Sequence, residues 1–390
     1  MAAKRILRAG PVALMLCACS SRAPAPGGEP PGGGGSPCNR TSQSGAGQLA
    51  TAIHVADVTG DGRPDVLVVY RDSGVVSLYE GHPDGTLSLR RSDQVGAWPL
   101  DVAVTDLDHD DRADVLVVGH FSNALMVLRG LGGGELESPT VYPLGNHSQR
   151  LELGDFDRDG NVDVVTKNAG SAGVFEITVL LGRGDGTLGS AQPYPLGDLP
   201  ADIAVADFNG DGSLDVAVAM LNTSVVEVFS GRGDGTLDDP YEVALSAEPL
   251  RMVTADVNED GLPDLLVCHG LVTPGYIALY LGRGDGTFAP EQRIGVNAPY
   301  LLAVADLDGD GTLDLVVTSL TTGIFLLRGD PVAAGTFGAP VELAAGASAT
   351  ALGVAALDPT SLPAVVWSTQ EDTLEVERGP LHCAEASSRR

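Results

Sequence analysis

Basic residues are scarce in this sequence of 390 residues: 23 Lys and Arg stand against 52 Asp and Glu, a formal charge of −29. No basic stripe able to track a phosphate backbone is visible, which argues against a nucleic-acid partner. Helical periodicity is absent over any useful length, and the apolar run near the start is too short to cross a bilayer as a helix. Catalytic signatures are missing as well. There is no G-x-S-x-G elbow, no H-E-x-x-H and no phosphate-cradling P-loop, and the seven histidines are dispersed. The expectation is a chain without catalytic residues.

The sequence is rich instead in a repeated loop of oxygen donors. Asp207-Phe208-Asn209-Gly210-Asp211-Gly212-Ser213-Leu214-Asp215 runs straight into the apolar Val216-Ala217-Val218-Ala219. The pattern D-x-[DN]-x-D-G-x-x-D returns at Asp155, Asp256 and Asp306, and in altered form at Asp57 and Asp106. A calcium ion takes roughly six to eight hard oxygens, supplied most compactly by alternate side chains plus a backbone carbonyl. Positions 1, 3, 5 and 9 are the candidate ligands. They are Asp57, Thr59, Asp61 and Asp65 in the first loop, Asp106, Asp108, Asp110 and Asp114 in the second, and Asp155, Asp157, Asp159 and Asp163 in the third. The fourth offers Asp207, Asn209, Asp211 and Asp215, the fifth Asp256, Asn258, Asp260 and Asp264, and the sixth Asp306, Asp308, Asp310 and Asp314. Position 7 has no common chemistry, as suits a residue lending only its carbonyl. Position 6 is glycine in five copies, where a sharp reversal needs positive φ. Asp111 replaces that glycine in the second loop, and Thr59 replaces an acidic or amide ligand in the first. Asp, Asn and Gly cluster in any turn, but six copies at nearly fixed spacing point to up to six Ca²⁺ sites.

The loops begin at intervals of 49, 49, 52, 49 and 50 residues. One further interval lands on Ala356, where Ala356, Thr360 and Ala364 stand in place of three ligands, so a seventh unit keeps the frame and loses the ion. Each unit holds four short apolar or alternating runs, in the fourth Ile203 to Ala206, Val216 to Ala219, Val225 to Phe229 and Tyr241 to Leu245. A Gly-x-Gly-Asp-Gly-Thr turn separates the last two, at Gly182 to Thr187, Gly231 to Thr236 and Gly282 to Thr287. These features predict an all-β fold, a seven-bladed β-propeller of four-stranded antiparallel blades with about 50 residues per blade. The Arg-Gly-Asp tripeptides at Arg183, Arg232, Arg283 and Arg328 all fall where the repeat needs a tight turn, so they read as turn residues and not adhesive signals.

The loops, their trailing apolar strands and the GxGDGT turns resemble the FG-GAP or VCBS repeats of the integrin α-subunit propeller and of many bacterial surface proteins. The resemblance covers residues 49 to about 380 and implies the fold and calcium, while leaving function open. At the start, Lys4, Arg5 and Arg8 precede Val12-Ala13-Leu14-Met15-Leu16, an export signal over residues 1–18. Leu16-Cys17-Ala18-Cys19 resembles the lipobox of bacterial lipoproteins, which implies lipidation at Cys19, and Ser20 implies the outer membrane. Residues 19–48 are Pro- and Gly-rich and read as a flexible tether. The propeller is expected over 49–383, followed by a tail at 384–390.

Loss of the signal takes the charge to about −32, and six bound Ca²⁺ would bring it to about −20. Of the remaining cysteines, Cys38 and Cys383 flank the blades where the ends of a ring must meet, and an exported chain permits a disulfide clasp there. Cys268, in Leu265-Leu266-Val267-Cys268, reads as a small buried apolar residue.

If the metal loops join first and second strands, the opposite face carries the more variable connections. Trp98, His120, His147, Arg150, Lys167, Asn168, Arg251, His269 and Tyr300 fall there, a composition suited to a sugar or peptide. The expected function is a lipid-anchored, monomeric, calcium-binding module of the cell envelope that meets the membrane only through its lipid and binds a glycan or protein. The alternatives are a polysaccharide-active lyase or hydrolase using that face, and a structural partner in an envelope complex.

Overall fold

The computed structural model describes residues 39–44, 49–83, 86–170, 173–345, 349–356, 363–369 and 373–378. Seven four-stranded antiparallel sheets form a closed ring, and no helix occurs among the described residues. The fourth blade is representative, with strands Pro200–Ala206, Asp215–Met220, Val225–Phe229 and Tyr241–Ala244 lying side by side in chain order. Each innermost strand touches the innermost strands of its two neighbours, and Ala50–Ala56 meets Ala349–Ala356 to close the circle. The seven first strands therefore line an axial channel.

Burial follows radial position. Every residue of Asp215–Met220 is buried because the second strand is covered on both faces by adjoining blades. The outer strand Tyr241–Ala244 alternates between half-buried and exposed, since one of its faces meets water. Apolar clusters fill the spaces between blades; one joins Ala217, Ala219 and Val228 of the fourth blade to Leu265, Val267 and Ala278 of the fifth. Another packs Trp367 and Val376 of the seventh blade with Val66 and Tyr70 of the first. The valines and aromatic residues among them suit a stack of twisted sheets.

Part of the span expected as a tether, 19–48, is a strand. Asn39–Ser44 pairs antiparallel with Thr373–Arg378, in register from Asn39 opposite Arg378 to Ser44 opposite Thr373, and forms the outer strand of the seventh blade. The chain's start thus fastens its end by a backbone ladder. NRTSQS is polar and lacks the alternation that marks a half-buried strand, so composition hides it. The Cys38–Cys383 clasp, the Cys19 lipid site and the ligand-poor seventh loop around Thr360 lie outside the described residues. In the second blade the Gly-Asp-Gly-Thr turn gives way to an extra hairpin, Gly130–Gly132 with Glu135–Leu136.

Candidate functional site

All six loops join a first strand to a second on one face of the ring, and in each the first aspartate accepts the position 6 amide. In the fourth, Asp207 takes the Gly210 amide on one carboxylate oxygen and the Gly212 amide on the other, at 2.8 and 2.9 Å. Asp211 accepts the Ser213 amide at 2.7 Å, and the fifth-position aspartate does the same for position 7 in every other loop. Position 6 has positive φ throughout, including Asp111 at 63° in the place of glycine. Position 4 is left-handed in all six as well, although His109, Arg158 and Glu259 occupy it in three. That second constraint escaped the sequence reading, though Gly60, Gly210 and Gly309 at the same position were its visible sign.

Position 9 lies deeper than the rest. Asp215 is fully buried, and its oxygens accept the Phe208 amide at 3.0 Å and the Gly231 amide at 2.9 Å. One side chain thereby ties the metal loop to the turn between third and fourth strands, and the aspartate at this position repeats the pair of bonds in the other five loops. The approach is so close that a Cβ on Gly231 would fall 2.1 Å from the Leu214 carbonyl oxygen. Burial pushes Asp163, Asp215, Asp264 and Asp314 up to about 6. The turns also reach back across the ring: Gly235 donates to the Phe156 carbonyl and Gly286 to that of Phe208, at 3.1 and 3.0 Å. Each Gly-Asp-Gly-Thr turn so rests on the preceding blade's loop, and the exposed Asp of its Arg-Gly-Asp accepts the amide of Thr187, Thr236 or Thr287 within the turn.

Three loops gather positions 1, 3 and 9 into a carboxylate triad with ligand atoms within 4.8 Å of one another: Asp106, Asp108 and Asp114; Asp155, Asp157 and Asp163; Asp306, Asp308 and Asp314. In two of them, Asp108 Oδ1 and Asp308 Oδ1 are buried without a hydrogen-bond partner. Orphaned carboxylate oxygens beside two further carboxylates are the donor set a hard divalent cation satisfies, so these residues fit calcium. Thr59, Asn209 and Asn258 deny the other three loops the third carboxylate.

On the opposite face, the expected ligand residues divide into two groups. Trp98, His120 and His147 come together with Phe121. The Trp98 and Phe121 rings are 4.6 Å apart, His120 and His147 are 4.3 Å apart, and the Arg71 guanidinium sits 4.7 Å over Trp98. Trp98 is 37 % and Phe121 51 % exposed, so this cluster forms an open apolar patch. Burial and the neighbouring His147 lower His120 below the ordinary histidine range. Phe121 and Arg71 escaped the sequence reading, although Phe121 directly follows His120.

The other residues turn away from that surface. Arg150 and Arg251 line a cavity of about 90 Å³ in the axial channel, with the Tyr300 ring 5.4 Å from the Arg251 guanidinium. Burial opposes the Arg150 charge, but Asp202 at 3.2 Å and Asp101 at 3.8 Å outweigh it and hold the guanidinium above its usual value. Asn168 is buried and donates to Thr178 Oγ1 at 2.8 Å. His269 is buried beside Tyr276, its Nδ1 3.1 Å from the Glu248 carbonyl. Lys167 is 3 % exposed and donates to the Ala201 carbonyl at 2.6 Å.

Burial lowers Lys167 from 10.5 to about 7. Charging it opposes folding, and that cost is complete below the folded value and gone above the unfolded one. Stability should therefore rise with pH from about 7, by up to about 1.4 kcal/mol per pH unit. Denaturant titrations between pH 7 and 9 should show this slope in the native chain and lose it in Lys167→Met.

The FG-GAP-like repeat family model matches residues 57–117, 169–218, 207–267 and 256–317, over half of the chain. The chain belongs to the FG-GAP-like repeat family. Two solved structures resemble this FG-GAP-like propeller: BBS1N in complex with ARL6DN, soaked with mercury or with lead. Both have a TM-score of 0.61, at 14 % and 15 % identity, covering 88 % and 87 % of this chain and 96 % of theirs. At that identity the likeness concerns the fold alone. No curated protein matches the chain.

Proposed function

We propose that this FG-GAP-like propeller is a calcium-stabilised, lipid-anchored binding module of the cell envelope, which engages a glycan or protein without catalysis. The observation that carries this reading is the exposed cluster of Trp98, His120, Phe121 and His147 on the face away from the metal loops. Flat rings with an arginine beside them offer a large contact area at low entropic cost, to the C–H faces of a sugar or to a partner's side chains. Two of the three carboxylates lining the channel are engaged otherwise: Asp101 accepts the Leu151 amide at 3.2 Å, and Asp202 the Met252 amide at 3.0 Å, while Glu152 Oε1 has no hydrogen-bond partner. Fixed acceptors of this kind favour support over proton transfer.

The test is binding of the purified chain to a glycan panel, with calcium and with chelator, while released product is monitored. Trp98→Ala should weaken binding at least about tenfold and leave thermal unfolding of the calcium-loaded chain unchanged. Full binding by that variant would remove the aromatic face from the account, and released product would overturn the non-catalytic reading. Failure of the folded protein to bind any glycan would leave a protein partner.

A further inference from the structure

The channel charges follow the repeat. Asp101, Arg150, Asp202 and Arg251 stand opposite Val118, Lys167, Ala219 and Cys268, in each case the fifth residue of the blade's second strand. One position on the innermost strand thus alternates acid, base, acid, base through blades two to five. The acids are held alike: each accepts the backbone amide of the residue after the next blade's arginine, 50 positions away in sequence. Arg150 lies between both acids and is paired.

Arg251 ends the series without a third acid. The sixth and seventh blades place Leu301 and Ala351 in this part of the channel, and the first places Ala52. Arg251 Nε is buried with no hydrogen-bond partner, and no carboxylate lies within ion-pairing distance of the guanidinium among the described residues. Glu152 Oε1, two residues beyond Arg150 and lining the same cavity, is buried and unpartnered as well. Burial raises the Glu152 carboxyl well above its usual value, against the opposing pull of Arg150. Arg251 is half-buried and lies 5.4 Å from the Tyr300 ring, and a partly desolvated guanidinium without a counter-charge is costly unless an anion or water meets it.

We propose that the axial channel is a binding site for a small organic monocarboxylate, its carboxylate on Arg251 and its apolar end against Leu301, Leu302 and Leu352. The alternation supplies charge on one side of the channel, and its interruption leaves Leu301, Ala351 and Ala52 beside Thr51 and His54 on the other, which favours an amphipathic anion over an inorganic one. The cavity of about 90 Å³ holds a cluster of waters or a molecule of a few heavy atoms. This site is separate from the aromatic patch and does not depend on the reading of that patch.

The probe is butyrate, with butyramide as its uncharged isostere and inorganic phosphate as a non-apolar anion, each titrated calorimetrically into the purified calcium-loaded chain. Butyrate should bind in the millimolar range, and butyramide and phosphate at least about tenfold more weakly, as loss of a charged hydrogen bond or of apolar contact requires. Arg251→Met should weaken butyrate at least tenfold, while Trp98→Ala leaves it unchanged. If Arg251→Met does not fold, the comparison of butyrate with butyramide on the native chain still decides. Equal binding of the two, or no butyrate binding by folded protein, overturns the proposal.

Discussion

Excess chelator is expected to cost the purified chain about 8 kcal/mol of stability and to lower its unfolding temperature by about 10 °C. Taking a dissociation constant of ~0.1 mM against ~1 mM free ion, each loop contributes ~1.4 kcal/mol, and six contribute the total. Two classes of site should be resolved in a calcium titration. Loops with Asp108, Asp157 and Asp308 in third position offer four candidate carboxylates, three of them gathered in a triad, whereas those with Thr59, Asn209 and Asn258 offer three. Affinity rises with ligand charge, so the first class should fill earlier. The unfolding temperature should track that filling, because the second to fifth loops each carry the carbonyl on which the next blade's turn rests, as with Phe208 and Gly286. A chain whose unfolding temperature ignores both chelator and calcium would show that the loops are held by their internal hydrogen bonds alone.

Repetition decided what could be read from the sequence. The blades were legible because each loop, trailing strand and turn recurs at nearly the same interval, and the four strands of the fourth unit fall within a few residues of where its apolar runs place them. Side-chain direction was less legible. Arg150, Lys167, Arg251 and His269 sit near the variable connections in sequence, but they occupy first or second strands, which a propeller turns toward its channel or its blade interfaces. The acids at Asp101 and Asp202 share their spacing with the two arginines, so the channel series was present in the sequence, hidden by the stronger periodicity of the metal loops. The strand Asn39–Ser44 shows no such signal, because an outer strand takes its place through backbone bonds and any polar sequence can make those.

Asp215→Ala is expected to destabilise the chain by about 3–5 kcal/mol, and to do so with or without calcium. The side chain is wholly buried and each oxygen answers one amide, Phe208 on one side and Gly231 on the other. Removing it strands two buried donors at about 1–3 kcal/mol apiece, in a place where the Leu214 carbonyl already stands too close for Gly231 to carry a Cβ. Asp211→Ala is the comparison. Asp211 is half exposed and accepts one local amide, so its loss should cost about 1 kcal/mol, mostly while calcium is present. Asp215→Asn separates the two roles of position 9. An amide oxygen is an adequate calcium ligand, as Asn209 supposes at position 3, but an amide nitrogen turned toward either Phe208 or Gly231 sets donor against donor. If position 9 acts mainly by holding loop to turn, Asn should cost nearly as much as Ala in denaturant titrations under chelator. If it acts mainly through the ion, Asn should be close to native in calcium, and the cost of Ala should vanish once the ion is removed.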